Sequence, residues 1–174
     1  MCLGRNATHK IADSRGCIKC CIARNPYNDQ KFLVAAVPKG ILLLRWYPPR
    51  HIFMMDKLVE YKLEEPLEVF ESFVNEAEEY PHVCLGLTNH EGGSVAFETI
   101  NLNLGSNFYK PPSGSKIRPC TFHQVEENAV LIGYERYVKF VDKQGKLKPS
   151  SKQASQLSFD NKGHAFEFLS VTDP

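Results

Sequence analysis

Short apolar runs separated by turn residues recur along the whole chain. Residues 17–23, 31–37, 41–47 and 52–58 are rich in Ile, Val, Leu, Phe and Tyr. Between them stand Asn25-Pro26-Tyr27-Asn28-Asp29, Pro38-Lys39-Gly40 and Pro48-Pro49-Arg50, whose proline, glycine and Asx chemistry ends strands. Residues 83–88, 94–102, 120–125, 130–134, 137–142 and 165–171 repeat the arrangement. Regular strands with such turns predict an all-β sandwich, barrel or propeller rather than parallel βαβ units.

Within Tyr137-Val138-Lys139-Phe140-Val141-Asp142, Val138 and Phe140 share one face and Tyr137 and Lys139 the other. That period of two predicts a strand with one side inward. Leu67, Phe70 and Val74 stand at helical spacing among glutamates, so a short amphipathic helix competes with a strand over residues 63–80, and the strand is favoured. Residues 103–119 hold Gly105, Pro111, Pro112, Gly114 and Pro119 without periodicity and read as a long surface loop. A second polar connector spans residues 149–156.

Four blocks carry a family resemblance. They are Gly16-Cys17-Ile18-Lys19-Cys20-Cys21-Ile22-Ala23-Arg24-Asn25-Pro26-Tyr27, Ile41-Leu42-Leu43-Leu44-Arg45-Trp46-Tyr47, Glu79-Tyr80-Pro81-His82-Val83-Cys84-Leu85-Gly86 and Phe140-Val141-Asp142-Lys143-Gln144-Gly145-Lys146-Leu147-Lys148. In order, they resemble the citron homology domain at the C-terminal end of germinal-centre protein kinases, the MAP kinase kinase kinase kinases. The resemblance implies a β-propeller. At about 40 to 45 residues per four-stranded blade, the chain has material for roughly four blades of a larger ring. The expected division is an N-terminal extension over residues 1–11 and an incomplete citron homology domain over 12–174, a fragment whose open blade faces favour self-association.

Charge narrows the partners. Twenty-one Lys and Arg against twenty Asp and Glu leave +1, so no net field recruits nucleic acid. The N-terminus lacks the apolar stretch of roughly 7 to 15 residues that a secretory signal needs. No apolar run, that of residues 41–44 included, approaches the ~18 that span a bilayer. A soluble, cytoplasmic protein with reduced cysteines is expected.

Candidate chemistry is sparse. Cys17, Cys20 and Cys21 invite a zinc or thiol reading, but tetrahedral zinc wants two ligand pairs, and Cys84 and Cys120 stand alone. Small buried residues in a strand are the favoured account of the three. Cys120 and His123, three apart, would point to opposite faces of a strand. Glu64, Glu65, Glu68, Glu71, Glu76, Glu78 and Glu79 form an acidic run, and Lys139, Lys143, Lys146, Lys148 and Lys152 a basic one. Both are expected mainly as solvated faces. Trp46 is expected in packing, whereas Tyr47 at a strand end is a candidate contact for a partner.

No glycine-rich phosphate loop, Val-Ala-Ile-Lys, His-Arg-Asp or Asp-Phe-Gly occurs, so the chain is expected to be non-catalytic and to hold no cofactor. ATP and Mg would belong to an upstream kinase domain. The resemblance implies a regulatory, protein-interaction domain in stress-activated MAP kinase (JNK) signalling that binds small GTPases or adaptors. The candidate partner-binding residues are Tyr47, Asn89, His90 and Glu91, with the loops 25–30, 89–93 and 103–119 as recognition surfaces. The alternatives are a citron homology segment of a Rho exchange factor or vesicle-tethering protein, and a small zinc or thiol protein built on Cys17, Cys20 and Cys21.

Overall fold

The computed structural model describes residues 10–63, 66–104, 108–109, 116–148 and 156–158. Among them run twelve strands: β1 Lys19–Arg24, β2 Lys31–Val37, β3 Gly40–Tyr47, β4 Ile52–Glu60, β5 Glu71–Phe73, β6 His82–Asn89, β7 Val95–Asn101, β8 Phe108–Tyr109, β9 Thr121–Glu126, β10 Ala129–Gly133, β11 Tyr137–Val141 and β12 Gln156–Ser158. They form three four-stranded antiparallel sheets, each joining sequential neighbours: β1-β2-β3-β4, β5-β6-β7-β8 and β9-β10-β11-β12. The all-β class and the blade-like meanders are those the sequence predicts. Three such sheets are described, and the strand expected over 165–171 lies outside the described residues.

The chain divides into two compact units, residues 1–63 and 64–174. In the first, an Asx-rich turn joins β1 to β2. Asn25 Oδ1 accepts the Tyr27 amide at 3.0 Å, Asn28 Oδ1 accepts the Gln30 amide at 3.0 Å, and Asp29 takes the left-handed φ of 53° that Asp tolerates. One face of the sheet gathers Ala35, Val37, Leu42 and Leu44, with Ile11, Leu33, Phe53 and Leu58 packed beside them. On the other face Phe32, Val34, Ile41 and Leu43 are buried, so β2 and β3 read as near-continuous apolar runs rather than alternating ones.

In the second unit the core lies between the two sheets. Phe73 of β5, Phe97 of β7 and Phe122 of β9 pack edge to face with centroids 5.3, 5.2 and 6.0 Å apart, around Val130, Ile132 and Val141. Each such aromatic pair adds about 0.5–1.5 kcal/mol beyond its area burial. Gln124 of β9 closes the same seam. Its Oε1 accepts the Val74 amide at 2.8 Å and its Nε2 donates to the Val74 carbonyl at 3.0 Å.

Over 63–80 the favoured extended reading holds among the described residues: Leu67, Val69 and Phe70 are buried in extended chain that leads into β5. Two expectations change. Part of the expected surface loop 103–119 is ordered against the sheet, with β8 paired to β7, Lys116 bridging Thr88 and the Ile117 amide donating to the Leu87 carbonyl at 3.0 Å. In β11, Val138, Lys139 and Val141 are all buried, so both sides are covered rather than one. β11 is flanked by β10 and β12, and the lysine stem is apolar enough to line a core when its ammonium finds a partner.

Candidate interaction surfaces

The hairpin from β6 to β7 carries Asn89, His90 and Glu91. Asn89 and His90 are exposed, and residues Glu91–Gly93 form a short 3-10 segment kinked at Gly92. The turn is closed locally, with the His90 amide donating to the Ser94 carbonyl at 2.9 Å, while Gly92 and Gly93 adopt φ of 75° and 81°. Such angles suit glycine and let the chain reverse in few residues.

A floor beneath the turn comes from the neighbouring sheet. Lys139 is 6% exposed, its Nζ donates to the Gly93 carbonyl at 2.9 Å, and it lies 5.7 Å from the ring centroids of both Tyr134 and Tyr137. Those rings stack at 4.5 Å and 25°. Burial pulls the Lys139 pKa below its ordinary value, and burial followed by the nearby Tyr137 pushes Tyr134 up. At the turn after β11, the Val95 amide donates to the Gly145 carbonyl at 2.9 Å. A Cβ on Gly145 would come within 1.7 Å of the Val95 carbonyl oxygen, at a φ of 79°, so this approach needs glycine. The β6–β7 hairpin is therefore tied at its base by Lys139 and Gly145 and open at Asn89 and His90.

Tyr47 lies in the other unit. It ends β3 with its ring 43% exposed, followed by the 3-10 turn Pro48–Arg50. Trp46, beside it, packs edge-on against Phe53 at 5.1 Å and His51 at 6.1 Å, the packing role expected of it. Tyr27 in the 25–30 turn is also exposed.

Among the described residues, several members of the two charge runs are engaged internally. Lys143 Nζ donates to the Val74 carbonyl at 2.7 Å and to Asn75 Oδ1, and Lys148 pairs with Glu126 at 3.2 Å. Glu68 meets Arg118 at 2.7 Å. Glu78 accepts Asn75 Nδ2 at 2.5 Å and meets His82 Nε2 at 2.6 Å, with Asn101 Nδ2 at 3.3 Å. Partial burial raises the Glu78 pKa, but the Asn75 hydrogen bond, the His82 charge and the Asn101 bond outweigh it and hold the carboxyl below its ordinary value. Asn103 extends this network by clamping both the amide and the carbonyl of Tyr80 at 2.8 Å. The sequence marks these residues only as a charge run and scattered amides: Lys143, Lys148, Glu68 and Asn103 find partners twenty or more residues away, whereas Glu78 finds Asn75 and His82 nearby.

Cys17 and Cys20 are exposed and Cys21 is half-buried, so the three are not the buried strand residues expected. Burial and then the neighbouring Cys20 raise the Cys17 pKa, Cys20 and Cys21 point to opposite faces of β1, and Cys84 is buried in β6, where burial raises its pKa. Cys120 and His123 are both exposed. Among the described residues no group of three or more His, Cys, Asp or Glu is placed to hold a metal ion. None of the described helices is long and apolar enough to cross a membrane.

Four-stranded antiparallel meanders, with hairpins held rigid at their bases, define a β-blade scaffold of the propeller type. The family model for the CNH domain matches residues 3–171, and the chain belongs to that family. It is 36% identical over 153 residues to mitogen-activated protein kinase kinase kinase kinase 3 of Mus musculus, covering 87% of this chain and 17% of that protein. The Rattus norvegicus protein of the same name is 36% identical with 18% of its length covered, and that of Homo sapiens 35% with 17%. The chain thus spans less than a fifth of the length of these curated relatives, and the shared part is a CNH domain rather than a kinase domain.

Proposed function

We propose that this chain is a non-catalytic regulatory module of MAP kinase kinase kinase kinase signalling, which presents the β6–β7 hairpin to protein partners in the cytoplasm. The observation that carries the reading is the hairpin itself: exposed Asn89 and His90 stand on a base fixed by Lys139 and Gly145. A pre-ordered loop loses little conformational entropy on binding, which is where rigid scaffolds gain affinity. Small GTPases or signalling adaptors are the partners this reading favours, with the JNK branch as the pathway. The similarity to MAP kinase kinase kinase kinase 3 favours a kinase setting over a Rho exchange factor or a vesicle tether.

The test is binding of the immobilised chain to a panel of purified small GTPases, each loaded with a GTP analogue or with GDP. Binding to one of them in a single nucleotide state, weakened about ten-fold or more by the pair Asn89→Ala and His90→Ala, supports the reading. Equal, weak binding to every member in both states, unmoved by those substitutions, contradicts it.

A further inference from the structure

The near-zero net charge conceals a division. Residues 1–63 carry eleven Lys and Arg against four Asp and Glu, a net +7, whereas residues 64–174 carry ten against sixteen, a net −6. The boundary of this division is the boundary between the two compact units. Fields of opposite sign on separate units favour an encounter between copies in one orientation.

The first unit also presents an apolar row at its surface. Ile22, Leu33, Leu44 and Met55 stand opposite one another in register across β1, β2, β3 and β4 and therefore on one sheet face. Leu44 is buried, but the two ends are open, with Ile22 68% and Met55 52% exposed. Ile18, just before β1, is 46% exposed. Next to the row, Arg24 and Lys31 pair in register beside Ile22; Arg24 meets Asp29 at 2.9 Å, and Lys31 is exposed. β1 is an edge strand, paired only with β2 among the described residues.

The second unit offers an acidic counterpart. The segment after β5 and the turn between β9 and β10 are held together: Gln124 Nε2 donates to both the Val74 and the Glu127 carbonyls, at 3.0 and 3.1 Å. Lys143 is turned inward onto Val74 and Asn75 and Lys148 is bonded to Glu126 and the Asn128 carbonyl, while Glu76 and Glu127 are exposed at this end.

We infer that the Ile22–Met55 face of one copy docks on the acidic unit of a second copy, giving a salt-sensitive, head-to-tail self-association. An isologous pairing of the two basic faces would set +7 against +7. The heterologous pairing sets +7 against −6. A pair of copies joined in this way still has one basic and one acidic face unpaired, so further copies can add.

The experiment is sedimentation and light scattering of the whole chain at rising concentration, in about 20 mM and about 500 mM NaCl, a range over which exposed charges pass from weakly to strongly screened. Expected is a mass that grows beyond 19.7 kDa with concentration at low salt, and an association at least ten-fold weaker at high salt. Two variants then isolate the faces: Ile22→Asp with Lys31→Glu on the basic face, and Glu76→Lys with Glu127→Lys on the acidic one. All four positions are exposed, so unfolding is not expected, and circular dichroism checks it. Each variant alone should remain monomeric. Mixed, they should give a discrete 1:1 dimer, because each retains one intact face. A mass of 19.7 kDa at every concentration, association that salt does not weaken, or no dimer on mixing would overturn the inference. So would capture of the monomer by phosphatidylserine-containing vesicles without self-association, which would assign the basic face to anionic lipid.

Discussion

Lys139 and Gly93 are joined by a hydrogen bond of 2.9 Å that reaches from the middle of β11 to the hairpin after β6, linking adjacent sheets of the second unit. The cation is sheltered by the Tyr134 and Tyr137 rings, where a bond to a carbonyl is stronger than in water. Lys139→Met keeps the stem and removes the donor, and is expected to cost about 1–2 kcal/mol. Hydrogen exchange of residues 90–94 should speed up more than that of β6 or β7. Lys139→Glu, which places a carboxylate against a carbonyl, should cost about 3–5 kcal/mol.

The same lysine has an alkaline signature. Its folded pKa lies below the unfolded value, so the folded state binds fewer protons between the two, and stability rises with pH across that window. The wild type should gain on Lys139→Met as pH is raised toward about 10.4, the ordinary lysine value. A stability difference between the two proteins that is constant with pH would contradict a buried cation.

Two glycines with similar φ separate strain from collision. Gly92, at 75°, has nothing within 4 Å of an added Cβ, so Gly92→Ala should cost only about 1 kcal/mol from backbone strain. Gly145, at 79°, would drive that Cβ into the Val95 carbonyl, and Gly145→Ala should cost about 3 kcal/mol or more. Urea denaturation of both variants measures the contrast.

Glu78 sets an acid limit. Its folded pKa is depressed, so its contribution is fully present above the ordinary glutamate value, about 4.3, and disappears as pH falls through the lower folded value. Thermal midpoints of the wild type and Glu78→Gln should therefore differ most above about pH 5 and converge toward pH 3. Parallel profiles would mean that the Asn75–Glu78–His82 network contributes nothing specific.

Much of this fold is legible in residue order, and the reasons are local. Lys31–Val37 has the same bounds as sequence run and as strand, because apolar β-formers meet turn chemistry at both ends. β5, β8 and β12 are short, so no periodicity could reveal them. Lys139 deceives by type: lysine on a strand reads as solvent-facing, and its stacked tyrosines and the Gly93 carbonyl come into view only when the sheets are assembled. Asn89 and His90 are legible as an exposed turn, while the clamp at Gly145 is set by a backbone approach across fifty residues. The opposed charges of the two units are readable in the sequence, but only once the boundary near Leu63 is known.

The most direct test of the account is hydrogen–deuterium exchange of the chain with and without the GTPase or adaptor that binds it most tightly. Protection centred on residues 88–94, with the floor at Lys139 unchanged, is the result expected of a rigid recognition hairpin. Full binding with exchange across 88–94 unaltered would contradict it and move the interaction surface elsewhere in the chain.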